Sequence, residues 1–215
     1  MSSTGRGAQR VENDYYPTPK WCIDLISERI QWAKVGSMYE PCKGGGAILE
    51  AVPEGVAVEW SEITEGRDYL TADPLPKVDL AWTNPPFETA QEFIVRQLEQ
   101  AACVVDLLRI NFLGSKKRRP FLQANPVTHL YVMSERPSFV DVCKGKEEKT
   151  YGAGGKVVSK KHVKGCGWAF QKVDEVKECP NCGGTVGAGT DSIEYAWFCW
   201  DRAGIMADKP GIYVL

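Results

Sequence analysis

The chain has 215 residues, 43% hydrophobic and 25% charged, with a formal net charge of −2, which excludes a disordered polyelectrolyte or a uniformly basic nucleic-acid coat. Its longest apolar run, Tyr195 to Trp200, is far short of the roughly 20 residues that span a bilayer, and the polar opening from Met1 to Asn13 lacks the apolar core of an export signal. With eight cysteines and no such signal, a reducing cytoplasm is expected, with no membrane and with cysteines serving metal rather than disulfides.

In chain order, Thr18-Pro19 reads as an N-cap followed by proline at the first helical position, and Cys22, Leu25, Ile26, Ile30 and Ala33 recur at helical spacing. A strand over 37–41 leads into a Gly-rich turn with a helix to about Ala51. Strands are expected at 56–63 and 68–70. Residues 78–82 read as a buried strand and 89–102 as a helix carrying Ala90, Phe93, Ile94, Leu98 and Ala101 on one face. A strand at 104–112 and a short basic helix at 116–123 follow. Two last β-rich runs, 128–133 and 193–200, flank residues 140–190. This alternation predicts a parallel, doubly wound sheet. The last two strands, joined by the flanked segment rather than by a helix, should pair antiparallel.

That segment differs in composition. Residues 140–190 hold nine lysines against six acids, ten of the 21 glycines and four of the eight cysteines. So little apolar periodicity cannot build a core alone, and a metal or partner must order it. We read it as an insertion into a main domain made of 1–139 and 191–215.

Two motifs carry chemistry. Glu40-Pro41-Cys42-Lys43-Gly44-Gly45-Gly46 lies where the first strand turns toward the next element, and glycines there allow close approach of a ligand and positive φ. Glu62 ends the second strand about 20 residues later, where a carboxylate can take both hydroxyls of a ribose. Asp68 follows, placed for an exocyclic amino group. A dinucleotide site would prefer Gly-x-Gly-x-x-Gly; a pattern that begins with an acid favours a ligand with a cationic or amino end.

The second motif, Asn84-Pro85-Pro86-Phe87, directly follows the strand at 78–82. Two prolines fix an extended turn and remove two N–H donors. What remains is a pair of acceptors, the Asn84 side-chain oxygen and the Pro85 carbonyl, beside the flat ring of Phe87. Such acceptors can hold both hydrogens of a planar amino group while the ring stacks on its base. Drawing the nitrogen toward tetrahedral geometry frees its lone pair for in-line attack on a methyl sulfonium.

With these motifs in this order, the chain resembles the class I S-adenosylmethionine-dependent methyltransferases, specifically the N6-adenine DNA type and the small methylases of phages and prophages. The resemblance runs from Asp14 to Trp200 apart from the insertion, and includes Leu108 to Gly114 and Glu194 to Phe198, segments that identify the family without chemistry of their own. It implies a Rossmann-like α/β sheet, mostly parallel with an antiparallel last strand, S-adenosyl-L-methionine as cofactor, double-stranded DNA as partner, and the cytoplasm of a bacterial or phage-infected cell. By this resemblance Tyr15, Tyr16, Thr18 and Pro19 close over the methionine part of the cofactor. Glu40, Pro41, Gly44 and Gly46 form the cofactor loop, Glu62 is the ribose acid, and Asp68 with Tyr69 contacts adenine. Asn84, Pro85, Pro86 and Phe87 are the catalytic tetrapeptide, and Phe139 is a second aromatic against an extruded base. Asparagine rather than serine at 84 leans toward adenine over cytosine N4. The tetrapeptide also occurs in guanine-N2 RNA methylases and glutamine-N5 protein methylases, so it specifies an sp2 amino acceptor. Oligomeric state is not legible.

Within the insertion, Cys179-Pro180-Asn181-Cys182-Gly183-Gly184 reads as a zinc knuckle, two thiolates at a spacing that suits one tetrahedral Zn²⁺. Cys166 offers a third ligand, and His162 or, alternatively, Cys143 a fourth, giving a small zinc ribbon whose role is structural. Cys22, Cys42, Cys103 and Cys199 read as small buried hydrophobes. Lys160, Lys161 and Lys164, with other lysines of the insertion, suit phosphate contact and make it the expected target-recognition element. Lys116, Lys117, Arg118 and Arg119 form a second basic cluster for the nucleic-acid backbone.

Overall fold

The computed structural model describes residues 18–151, 157–164, 169–171, 177–188 and 193–215, and of residues 140–171 and 188 the backbone alone. Residues 18–137 with 193–215 form one compact unit and 138–188 another. The strands are β1 (Ser37–Glu40), β2 (Ala57–Trp60), β3 (Val78–Thr83), β4 (Ala101–Arg109), β5 (His129–Val132), β6 (Val140–Tyr151), β7 (Val157–Lys164), β8 (Ala169–Gln171), β9 (Thr185–Ala188), β10 (Tyr195–Asp201) and β11 (Gly211–Val214). The α-helices are α1 (Lys20–Ser27), α2 (Ala90–Gln100) and α3 (Arg119–Ala124).

In the larger unit seven strands lie in the order β11-β5-β10-β4-β3-β1-β2. β1 to β4 run parallel, and β10 enters antiparallel between β4 and β5, as the sequence predicts. β10 is not the last strand, however: β11 follows and pairs parallel with β5. It carries no polar-out pattern, because Ile212 and Val214 are 75% and 74% exposed, so the period-2 signal of a half-buried strand is missing there.

Both faces of the sheet are covered. Ala196, Phe198 and Trp200 of β10 share a buried cluster with Ala90 and Ile94 of α2. Successive strand residues face opposite sides, so Trp197 points the other way. There its indole N–H donates to the Cys22 carbonyl of α1 at 2.9 Å, and its ring meets that of Trp82 at 6.0 Å. α1 and α2 therefore lie on opposite faces of the sheet.

Several expected elements differ. β2 stops at Trp60, and Glu62 caps a 3-10 turn at Ile63–Glu65 instead of ending the strand, its side chain accepting from the Thr64 N–H. β4 likewise ends at Arg109, before a 3-10 turn at Ile110–Phe112. The Gly-rich turn gives way to a single 3-10 turn at Leu49–Ala51 rather than an α-helix, since three glycines before it and Pro53 after it leave too few good helix formers to repay nucleation. Residues 68–70 form a turn, not a strand: Asp68 accepts from the Leu70 N–H at 3.0 Å and from the Thr71 hydroxyl at 3.1 Å, satisfying locally the backbone that a strand would have to pair. α2 stops at Gln100, and the apolar run from Ala101 belongs to β4.

In the smaller unit β6 is central, with β7, β8 and β9 antiparallel to it. Among the described residues no helix is long and apolar enough to cross a membrane.

Trp197→Phe should lower stability by roughly 0.5–1.5 kcal/mol, because it removes the buried hydrogen bond between the indole and the Cys22 carbonyl. That is a fall in Tm of roughly 2–4 °C per kcal/mol, read by thermal melting.

Candidate active site

Chain order reverses between β1 and β3, the point where open α/β sheets leave a crevice at the strand ends. Glu40 is the last residue of β1 and Asn84 the first after β3. The two motifs thus flank one topological switch.

On the β1 side the loop is stitched to the end of β2. The Ser61 N–H donates to the Glu40 carbonyl and the Lys43 N–H to the Ser61 carbonyl, both at 2.9 Å. Gly44 and Gly46 have φ of 52° and 85°, where a side chain would be strained. The Gly44 N–H donates to Glu62 Oε2 at 2.7 Å, and Thr64 gives Oε1 its N–H at 3.0 Å and its hydroxyl at 2.7 Å. Burial works against the Glu62 charge, but the Thr64 hydroxyl, the N–H groups of Thr64 and Gly44, and the Lys43 ammonium outweigh it and hold the carboxyl below its usual range. Glu62 is an ionised, fixed acceptor.

Glu40 is its opposite. It is 1% exposed, and its Oε2 is buried with no hydrogen-bond partner among the described residues. Burial first, then repulsion from Glu62, pushes its carboxyl up to about 9 against the pull of Lys43. Lys43 does not neutralise it directly: the ammonium pairs with Glu65 at 2.5 Å and sits 3.9 Å from the centre of the Trp60 ring. A buried acid with a spare oxygen fits the cationic end of a ligand. Ile63, immediately after Glu62 and 59% exposed, adds apolar surface beside the acids. Sequence reading passed over it, although an apolar residue in the turn after an acid is itself a signal.

Two expected cofactor contacts have partners within the protein. Tyr69 is 1% exposed; its hydroxyl donates to Gln100 Oε1 at 2.7 Å and its ring stacks on Phe93 at 5.4 Å, making it a core residue. The Asp68 carboxylate is engaged in its own turn. Pro41 is buried at the end of β1.

On the β3 side, Asn84 Nδ2 donates to Thr18 Oγ1 at 3.0 Å. Thr18 is therefore not an N-cap: Pro19 holds that position without a side-chain cap, and the Thr18 hydroxyl orients the Asn84 amide. Pro85 is buried and Pro86 partly so, its carbonyl accepting from the Thr89 N–H at 3.2 Å. The half-buried Phe87 ring lies 5.6 Å from that of Tyr195, tilted by 46°, and the Arg109 guanidinium stands 4.6 Å from its centre.

Below the site, Asp106 of β4 is fully buried and accepts from Gln97 Nε2 at 2.9 Å. Burial pushes its carboxyl up to about 8, with the Gln97 bond pulling the other way. Burial and then Asp106 also push the Cys42 thiol up, so Cys42 stays protonated and inert, like the buried Cys103 and Cys199.

The remaining candidates are dispersed. Tyr15, Tyr16 and Cys166 lie outside the described residues, as do the side chains of Lys160, Lys161, Lys164 and His162. The backbone register sets Lys160 opposite Lys149, Lys161 opposite Glu148, His162 opposite Glu147 and Lys164 opposite Gly145. Phe139 belongs to the smaller unit, one residue before β6. Lys116, Lys117 and Arg119 are exposed, whereas Arg118 lies over Phe112 at 4.5 Å. Cys179 and Cys182 share a tight turn, in which the Gly183 N–H donates to the Cys179 carbonyl and the Cys179 N–H to the Gly184 carbonyl, both at 2.7 Å, and Val186 packs on it. Among the described residues no group of three or more metal-ligating side chains is assembled.

The chain is similar in structure to the methyltransferase subunit of a type I restriction-modification system from Streptococcus thermophilus, with a TM-score of 0.52 at 12% identity over 94% of this chain and 47% of that one. It is also similar to a Listeria monocytogenes protein assigned as a class I S-adenosylmethionine-dependent methyltransferase, with a TM-score of 0.50 at 10% identity over 95% and 66% of the two chains. The larger unit has the Rossmann-like class I methyltransferase fold. The chain spans about half the length of the first of these structures and 66% of the second. No protein-family model matches it, and no curated protein does.

A carboxyl raised in the fold binds protons that the unfolded chain releases above pH 4.5, so it costs stability as pH climbs from there toward 9. Glu40→Gln should therefore melt higher than wild type at pH 8, by roughly 2–4 °C per kcal/mol relieved, and the gap should close toward pH 4.5. Melting curves across that range check it.

Proposed function

We propose that this chain is an S-adenosylmethionine-dependent methyltransferase that methylates the N6 amino group of adenine in DNA, in the cytoplasm. The observation that carries the reading is the pairing, across one switch point, of the acids Glu40 and Glu62 with Asn84-Pro85-Pro86-Phe87. The fold, shared with a restriction-modification methyltransferase subunit, agrees with it.

The cofactor, when bound, supplies an electrophilic methyl group on a sulfonium. Glu40 would take its cationic end, relieving a buried acid that lacks a partner, and Glu62 would take the ribose hydroxyls. Asn84 and the Pro85 carbonyl hold the hydrogens of the adenine amino group, which makes the lone pair available, and Phe87 stacks on the base. Thr18 fixes which end of the Asn84 amide is the acceptor. Adenine inside a duplex cannot reach this pocket, so the base is flipped out. Lys116, Lys117 and Arg119 suit the DNA backbone.

For the smaller unit we propose a structural zinc on Cys179, Cys182 and Cys166. For the fourth ligand, His162 or Cys143, backbone register favours Cys143. Cys143 pairs with Val186, which packs on the Cys179–Cys182 turn, whereas His162 pairs with Glu147, four residues and roughly 13 Å further along β6. The lysines of this unit make it the target-recognition element. Metal analysis should find about one zinc per chain, with tetrahedral site geometry, and Cys179→Ser should lose it.

Transfer of labelled methyl to adenine-containing DNA tests the reaction. Asn84→Ala should cost about 10²–10³ in kcat while cofactor binding persists, and retained turnover would overturn the assignment. Thr18→Val should cost about five- to tenfold in kcat with KM for DNA little changed, and Thr18→Ser should restore it.

A further inference from the structure

Arg109 is the last residue of β4 and belongs to the segment Leu108 to Gly114, to which the sequence attaches no chemistry. Its cross-strand neighbour on β10 is Tyr195, so both side chains rise on one face of the sheet. They meet the same ring: Tyr195 touches Phe87 at 5.6 Å, and the Arg109 guanidinium stands 4.6 Å from the ring centre.

The stacking leaves the donors of Arg109 unspent. The side chain is half-buried, its Nε is enclosed without a hydrogen-bond partner, and among the described residues it makes no ion pair. Glu194, the acid next to Tyr195, is taken by Arg136. A guanidinium held by a ring rather than a carboxylate keeps its full charge and its planar fork for an anion.

Two anions could come here: the carboxylate of the cofactor's methionine, or a phosphate of the substrate. Position favours the second. β4 is separated from β1 by β3, which puts Arg109 about two strand spacings, roughly 10 Å, from the acid loop. It is on the Asn84–Phe87 side of the switch point.

We propose that Arg109 binds the phosphodiester flanking the flipped nucleotide, its guanidinium stacked on Phe87 while its N–H groups hold the phosphate. The inference rests on the methyltransferase reading and deepens it: an unneutralised cation at the acceptor ring suits a nucleic-acid substrate and not a neutral protein amide.

The test is binding of an adenine-containing DNA duplex by wild type, Arg109→Gln and Arg109→Lys, each saturated with a non-reactive S-adenosylmethionine analogue, across a range of salt concentrations. Affinity for the analogue and Tm are measured in parallel. Arg109→Gln should weaken DNA binding about tenfold at 0.1 M salt and flatten the slope of log affinity against log salt by about 1. Arg109→Lys should keep the slope. Analogue affinity should stay within about twofold, as expected for a group outside the cofactor loop. An unchanged slope in Arg109→Gln with wild type still binding and methylating DNA overturns the role of Arg109 and leaves the methyltransferase reading intact. A loss confined to analogue affinity also overturns it, by assigning Arg109 to the cofactor's carboxylate. A wild type that binds the analogue but no nucleic acid overturns both.

Discussion

A carboxyl buried beside a second, ionised carboxyl is the constraint on which this molecule turns. Glu40 has 1% of its surface exposed and an oxygen without a partner, and Glu62 next to it keeps its charge through three hydrogen bonds. Folding alone has no reason to keep that pair, since burying an uncompensated acid costs stability. On the proposed reading, a cationic ligand would resolve the conflict. The surrounding architecture serves to hold the pair in place: the Gly44 N–H reaches Glu62, the ends of β1 and β2 are linked through Ser61, and Lys43 is kept on Glu65 and Trp60.

The other half of the site depends on a different chain of contacts. Asn84 leaves β3 through two prolines, and its amide is turned by Thr18 at the start of α1. α1 is in turn fastened to the sheet by Trp197, whose indole reaches the Cys22 carbonyl. Each link is short in space but long in sequence, so the orientation of one amide group is set by packing on the face of the sheet opposite α2. On the proposed reading, strands carry the reacting groups near their ends and the loops between them supply the ligand contacts.

Much of this was legible in the residues. The strand-helix alternation gave the sheet, β10 paired antiparallel as its connection required, and the motifs around Glu40, Glu62 and Asn84–Phe87 stood out because the chemistry proposed for them needs particular residue types at or just beyond strand ends. What escaped the sequence was decided by partners distant in the chain. Tyr69 lies beside a plausible contact residue, but Gln100, 31 residues away, draws its hydroxyl into the core. Thr18 has the composition of an N-cap, and only the arrival of Asn84, 66 residues on, gives its hydroxyl another use. Arg109 sits in a strand that reads as core packing, and its place on Phe87 follows from the β4–β10 register. β11 was hidden for the reverse reason, its outward apolar residues obeying no burial pattern. The Cys179–Cys182 turn was readable because its spacing is local.

The most direct measurement is a nucleoside digest with mass spectrometry after incubating the protein with isotopically labelled S-adenosylmethionine and unmethylated DNA, or separately RNA. Label in N6-methyladenine from DNA is the expected result. Label in N4-methylcytosine or in RNA would contradict the assigned acceptor while keeping methyl transfer, and a protein that binds the cofactor yet labels neither polymer would contradict the nucleic-acid substrate itself.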